Sequence, residues 1–143
     1  MIWATVITDA SFSNIDKSAG WAAWINVDGL GHSIKRYSSF SRGVATSLEA
    51  EAKAVINGVW LAKMYGAEAV LVQTDCMTVV HLIDGTTKKA HRLIRQWNTW
   101  KLEACIQDVL IRAKHVKGHT QTKDARSYVN RWCDKMANRA RKS

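Results

Sequence analysis

Proline is absent from the 143-residue sequence, so no ring is available to kink or break the helices it forms. Cysteine is scarce and poorly placed for cross-linking. Cys76, Cys105 and Cys133 are odd in number, far apart and free of any Cys-x-x-Cys pair, which argues against a disulfide framework and predicts buried free thiols inside the cell. No apolar run approaches the ~18 residues of a membrane span. Met1-Ile2-Trp3 leads into an alternating segment rather than into a basic stretch, an apolar core and a small-residue cleavage site, so the expected location is cytoplasmic. There is no internal repeat.

Acidic residues are also in short supply: 12 Asp and Glu stand against 21 Lys and Arg, a net charge of +9. A surface of that sign attracts polyanions, and nucleic acid is the commonest of them; a basic surface that serves only solubility is the plainer alternative. Apolar residues at 47% and charged residues at 23% match globular averages and argue against disorder or a fibrous repeat. The length suits one domain over residues 1–143.

Along the chain, Trp3 to Thr8 reads as a strand stopped by Asp9-Ala10-Ser11. Gly20 to Val27 and Ser33 to Phe40 are two further β-rich runs joined by Asp28-Gly29-Leu30-Gly31, a hairpin signal. The period then changes. Thr46 or Ser47 can cap a helix that reaches Tyr65 and stops at Gly66, with Leu48, Ala52, Val55, Val59 and Ala62 as its apolar stripe. Ala69 to Gln73 is short and nearly all apolar, as in a strand buried on both faces. A short helix from Met77, a longer one from about Ala90 to Ile106, a strand from Val109 to Val116, a polar loop from Lys117 to Ser127 and a final helix from Tyr128 to Ala140 complete the pattern. The prediction is an α/β domain with a five-stranded mixed sheet: three antiparallel meander strands, then two strands made parallel to the first by crossover helices.

The few acids are not scattered evenly. Asp9 and Asp75 each follow a Thr at the carboxyl end of a hydrophobic strand. If those strands are parallel neighbours, both carboxylates meet where open α/β sheets build their sites; taken singly, each also suits an ordinary turn. On the first long helix, Glu49 has Lys53 one turn later, as an exposed ion pair would. Glu51 differs: at ~100° per residue it projects between Val55 and Ala62, into the buried face, where a carboxylate is costly without a cation. Asp134 flanks the apolar stripe of the last helix, one turn after Asn130. Three Asp and one Glu meeting at one point would hold hard divalent cations such as Mg²⁺ or Mn²⁺. Two such ions can activate a water and stabilise the leaving oxygen of a phosphodiester.

Thr8-Asp9-Ala10-Ser11, Ala50-Glu51-Ala52 with Ala54 and Gly58 downstream, Thr74-Asp75, Val116-Lys117-Gly118-His119 and Asn130-Arg131-Trp132-Cys133-Asp134 together resemble the ribonuclease H type 1 family. Five short motifs stand in family order over nearly the whole chain. The resemblance implies a ribonuclease H-like fold and an endonuclease that cuts the RNA strand of RNA/DNA hybrids with two Mg²⁺ ions, leaving 5′-phosphate and 3′-hydroxyl ends. It implies that Asp9 bridges both ions, that Asp134 completes the nucleophile-side site, and that Glu51 and Asp75 complete the leaving-group side. His119 would assist water attack or product release. Ser11, Asn14 and Ser47 would touch sugar hydroxyls, and Lys88, Lys89 and Lys117, with Lys114 and His115 nearby, would touch phosphates. No protein partner is implied, and a monomer is expected.

The chain departs from that family in places. Ala45-Thr46-Ser47-Leu48 replaces the Asn pair that often precedes the helix glutamate, and Cys76-Met77 replaces a common Ser-Gln pair. The interval from Asp75 to His119 is too short for the full inserted basic helix of many bacterial relatives, though Lys88, Lys89, Arg92, Arg95 and Lys101 keep it basic. Trp97 and Trp100 resemble the aromatic-basic binding region but share a stripe with Leu93 and Ala104, as core residues would. No separate hybrid-binding domain is expected before Asp9. Two alternatives follow: a metal nuclease of the same fold with another substrate preference, and a catalytically silent nucleic-acid-binding module.

Overall fold

A computed structural model describes residues 1–41, 43–86, 91–116 and 125–143. Strands β1 (Trp3–Phe12), β2 (Ala19–Val27) and β3 (Ile34–Ser39) precede helix α1 (Ser47–Met64), strand β4 (Ala69–Thr74), helices α2 (Met77–Asp84) and α3 (His91–Glu103), strand β5 (Leu110–His115) and helix α4 (Ala125–Lys142). The sheet order is β3-β2-β1-β4-β5. β1, β2 and β3 pair antiparallel, whereas β4 and β5 run parallel to β1 and to each other, as crossover helices require.

The two faces of the sheet bury different amounts of chain. One face packs Val6, Ile25, Val70 and Val72 against Val55 and Val59 of α1, with Val79 and Leu82 of α2 and Leu93 and Trp97 of α3 closing the same core. The other face packs Ile7 and Ala22 against Cys133, Met136 and Ala137 of α4. Strand alternation places Val6 and Ile7 on opposite faces and so feeds both cores from one strand.

Two glycines let the helices approach closely. A Cβ on Gly58 of α1 would lie 2.6 Å from Val6 Cγ1 and 3.0 Å from Thr8 Cγ2 of β1, so only glycine lets that turn of α1 rest on the strand that carries Asp9. A Cβ on Gly20 of β2 would meet the Ala137 carbonyl oxygen of α4 at 2.5 Å. At the start of α1, Thr46 is the cap: its hydroxyl accepts from the Glu49 amide at 3.1 Å.

Several boundaries differ from the sequence expectation. β1 continues beyond Thr8 because β2 pairs with it as far as Phe12 opposite Ala19, so Asp9 sits within a strand rather than in a turn after it. α3 ends at Glu103, short of Ile106, because Cys105 takes a left-handed backbone with φ 56°. α4 starts at Ala125, so Ser127 belongs to the helix and is buried. The thiols are free but not uniformly buried: Cys133 is buried, Cys76 half-buried and Cys105 exposed. Among the described residues, no helix is long and apolar enough to cross a membrane.

Candidate metal centre

The parallel pairing of β1 and β4, with Ile7 opposite Gln73, carries the Thr8-Asp9 and Thr74-Asp75 steps to the same end of the sheet. Thr8 and Thr74 are buried, and each Asp follows as the chain reaches the open edge. The Thr74 hydroxyl accepts from the Cys76 amide at 3.1 Å, which turns the backbone at Asp75. The Asp75 carbonyl oxygen lies 3.2 Å from His115 Nε2. Asp9 Oδ1 accepts from the Ala10 amide at 2.9 Å.

Helix α1 delivers the third acid. Carboxylate oxygens of Asp9, Glu51 and Asp75, one from each, all lie within 4.8 Å of one another. Glu51 as a whole is half-buried, yet its Oε2 is fully buried and has no hydrogen-bond partner. Burial first, then the charges of Asp9 and Asp75, push its pKa from 4.5 up to about 9, with the Ala10 amide working in the opposite direction. Thr8 Oγ1 is a second buried polar atom without a partner. Burial raises the Cys76 thiol above its ordinary value, and the Glu51 and Asp75 charges add to the effect.

Asp134 approaches from α4. It is half-buried and lines a cavity of about 320 Å³ together with Asp9, Asp75, Asn130, Arg131 and Lys135. It is not one of the three acids whose oxygens cluster within 4.8 Å. Asn138 Nδ2 donates to the Asp134 carbonyl oxygen at 3.1 Å.

A cluster of three carboxylates has two ways to persist: it retains a proton, or it binds a cation. The donors here are all carboxylate oxygens, and one of them is buried with its acceptor capacity unused. That chemistry fits a hard divalent ion and not zinc, whose sites recruit Cys and His.

Other residues singled out from sequence are placed differently. Glu49 and Lys53 do pair, at 3.8 Å, but both are half-buried instead of exposed. The Ser11 hydroxyl donates to Asn138 Oδ1 at 2.6 Å and accepts from Arg141 Nε at 2.8 Å, so its proton is already committed to α4. Sequence reasoning missed this connection, because its members lie 127 and 130 positions apart and carry no local signal. Asn14 and Ser47 are exposed, as are Lys114, Arg92 and Arg95, while Lys101 is half-buried. Trp97 is buried in the core, and Trp100 is half-buried. Lys88, Lys89, Lys117 and His119 lie outside the described residues.

A family model described as reverse transcriptase-like matches residues 7–140. Among solved structures, the chain is similar to the N-terminal RNase H domain of a Mycobacterium tuberculosis protein, with TM-score 0.75 and 20% identity over 99% of this chain and 95% of that one. It is similar to RNase H1 from the halophilic archaeon Halobacterium salinarum, with TM-score 0.74 and 18% identity over 96% of each chain. It is also similar to LC11-RNase H1, isolated from compost by a metagenomic approach and solved in complex with an RNA/DNA hybrid, with TM-score 0.71 and 19% identity over 97% of this chain and 96% of that one. No curated protein sequence matches. The structural likenesses establish a ribonuclease H-like fold.

Proposed function

The chain belongs to the reverse transcriptase-like family, and from that premise we propose that it is an endoribonuclease that hydrolyses the RNA strand of RNA/DNA hybrids by a two-metal-ion mechanism, giving 5′-phosphate and 3′-hydroxyl ends. The observation that carries this reading is the clustering of Asp9, Glu51 and Asp75, with carboxylate oxygens within 4.8 Å of one another and a Glu51 oxygen buried and unpartnered. The net charge of +9 supports a polyanionic substrate, and one of the similar structures holds an RNA/DNA hybrid. We take residues 1–143 as a single catalytic domain acting as a monomer. The three free thiols favour a reducing, cytoplasmic setting.

Asp9, Glu51, Asp75 and Asp134 would hold the ions. Bound Mg²⁺, or Mn²⁺ in its place, would supply a water activated for attack and stabilisation of charge on the scissile phosphate. Glu51, whose Oε2 is buried and unpartnered, would offer one ligand oxygen in a dry position. Asp75, the most open member of the trio, would face incoming substrate. Asn14 and Ser47, both exposed, are assigned to sugar hydroxyls, and Lys88, Lys89 and Lys117 to phosphates; Ser11 can reach a sugar only by giving up its bond to Asn138. His119 is assigned to water attack or product release.

That commitment of Ser11, with Ala45 to Leu48 in place of an Asn pair, also favours a second reading: a sister metal nuclease with another substrate preference. Asp9→Asn separates both from a silent binding module. It is expected to abolish metal-dependent cleavage while leaving or improving hybrid binding, since it removes a negative charge near phosphate. Unchanged cleavage would remove Asp9 from the centre.

A further inference from the structure

The larger of two cavities described is not the acid cluster. It is a groove of about 640 Å³ bounded by the β3 edge, the outer face of α1 and the end of α3. Its walls carry Trp21 from β2, Phe40 just after β3, Trp60 from α1 and Trp100 from α3. Trp21, Phe40 and Trp100 are half-buried, and Trp60 is 43% exposed. Rings from four segments thus line one open trough, with Trp21 and Trp100 also resting on the edge of the main core.

Cations are interleaved with those rings. Lys53 Nζ lies 5.3 Å from the Trp100 ring centroid, and Arg36 lines the same groove. Among the described lining residues the one acid is Glu103. Lys53 and Trp60 are seven positions apart, two helical turns, and so share a face of α1. Lys53 is also two residues beyond Glu51, so the groove and the acid cluster flank the same stretch of helix.

We propose that this groove binds an unpaired nucleic-acid strand, a single-stranded extension continuous with the duplex held at the carboxylates. The proposal rests on the reading of that cluster as a nucleic-acid site. A duplex presents its grooves and phosphates with its base faces stacked inside, and cannot use indoles lining a trough; an unpaired strand offers every base face for stacking. A phosphate drawn to Lys53 brings its base to Trp100, and Trp60 continues the wall along α1. Aromatic faces with interleaved cations and little acid match a polyanion that also stacks, and they match an apolar peptide less well.

The test is binding, measured with chelator present so that no strand is cut. An oligothymidylate of about eight nucleotides is expected to quench tryptophan fluorescence saturably. A hybrid with a single-stranded overhang is expected to bind about tenfold tighter than the same hybrid with blunt ends. Trp60→Ala, at a 43% exposed position, should lose the preference, Trp60→Phe should keep it, and both should cut the blunt hybrid as the parent does. Equal affinity for overhanging and blunt hybrids, or a preference that survives Trp60→Ala, overturns the proposal. Absence of quenching also overturns it and leaves the groove to a peptide. Overhang preference without any Mg²⁺-dependent cutting would sink the nuclease reading and leave the groove standing; cutting without the preference would do the reverse.

Discussion

Replacing Glu51 with Gln should make the metal-free protein more stable at neutral pH while abolishing its activity. Below 4.5, the ordinary value of this carboxyl, folded and unfolded chains both hold the proton and the group contributes nothing to the difference. As pH rises, the unfolded chain releases the proton but the folded site keeps it until about 9. Stability therefore falls across that window, by about 1.4 kcal/mol per pH unit. Between 4.5 and a working pH of about 7.5 the loss would be about 4 kcal/mol if Glu51 carried it alone. The charges of Asp9 and Asp75 supply part of the shift at Glu51, and in so coupled a site the effect does not belong to one residue, so roughly half of that, ~2 kcal/mol, is expected. A Gln amide keeps the shape, carries no charge and can donate to the neighbouring carboxylates. Urea unfolding of both proteins in chelator, near pH 4 and near pH 7.5, checks this. The curves should coincide at the lower pH and separate at the higher, with Glu51→Gln the more stable. Added Mg²⁺ should raise the parent midpoint far more than the variant's. A variant less stable than the parent at pH 7.5, or a difference that ignores pH, would refute the account of Glu51 as a strained ligand.

Gly58→Ala should cost about 1 to 3 kcal/mol in urea unfolding, because its Cβ would lie 2.6 Å from Val6 Cγ1, and cleavage should fall with it since α1 would be displaced from β1; a neutral effect would show that the contact gives way freely. Thr46→Ala removes the hydroxyl that caps the Glu49 amide and should cost about 1 kcal/mol in the same measurement. Calorimetric titration with Mg²⁺ should show binding to the parent protein and its loss in Asp75→Asn, whereas retained affinity would take Asp75 out of the ligand set.

Much of the centre was legible before the fold because its parts obey local rules. Thr8-Asp9 and Thr74-Asp75 end similar hydrophobic runs, and a helical crossover makes such strands parallel. Helical periodicity alone separated inward Glu51 from Glu49, which does pair with Lys53. Asp134 was harder, since its helix position allows either a cavity rim or solvent. The bond from Ser11 to Asn138 joins the two ends of the chain, and no local pattern encodes such a contact. The end of α3 was misjudged because Cys105, not a glycine, adopts the left-handed turn. The groove stayed hidden for a related reason: Trp100 reads as core within its own helix, and only the packing of β2, α1 and α3 brings it to one wall with Trp21 and Trp60.

The most direct measurement is cleavage of end-labelled RNA/DNA, RNA/RNA and DNA/DNA duplexes and of single-stranded RNA, each with Mg²⁺, with Mn²⁺ and with chelator. Metal-dependent cutting of the RNA strand of the hybrid alone, with 5′-phosphate and 3′-hydroxyl products, is expected. Cutting of a different substrate would keep the metal centre and contradict the hybrid specificity; no cutting with either metal would contradict the nuclease itself.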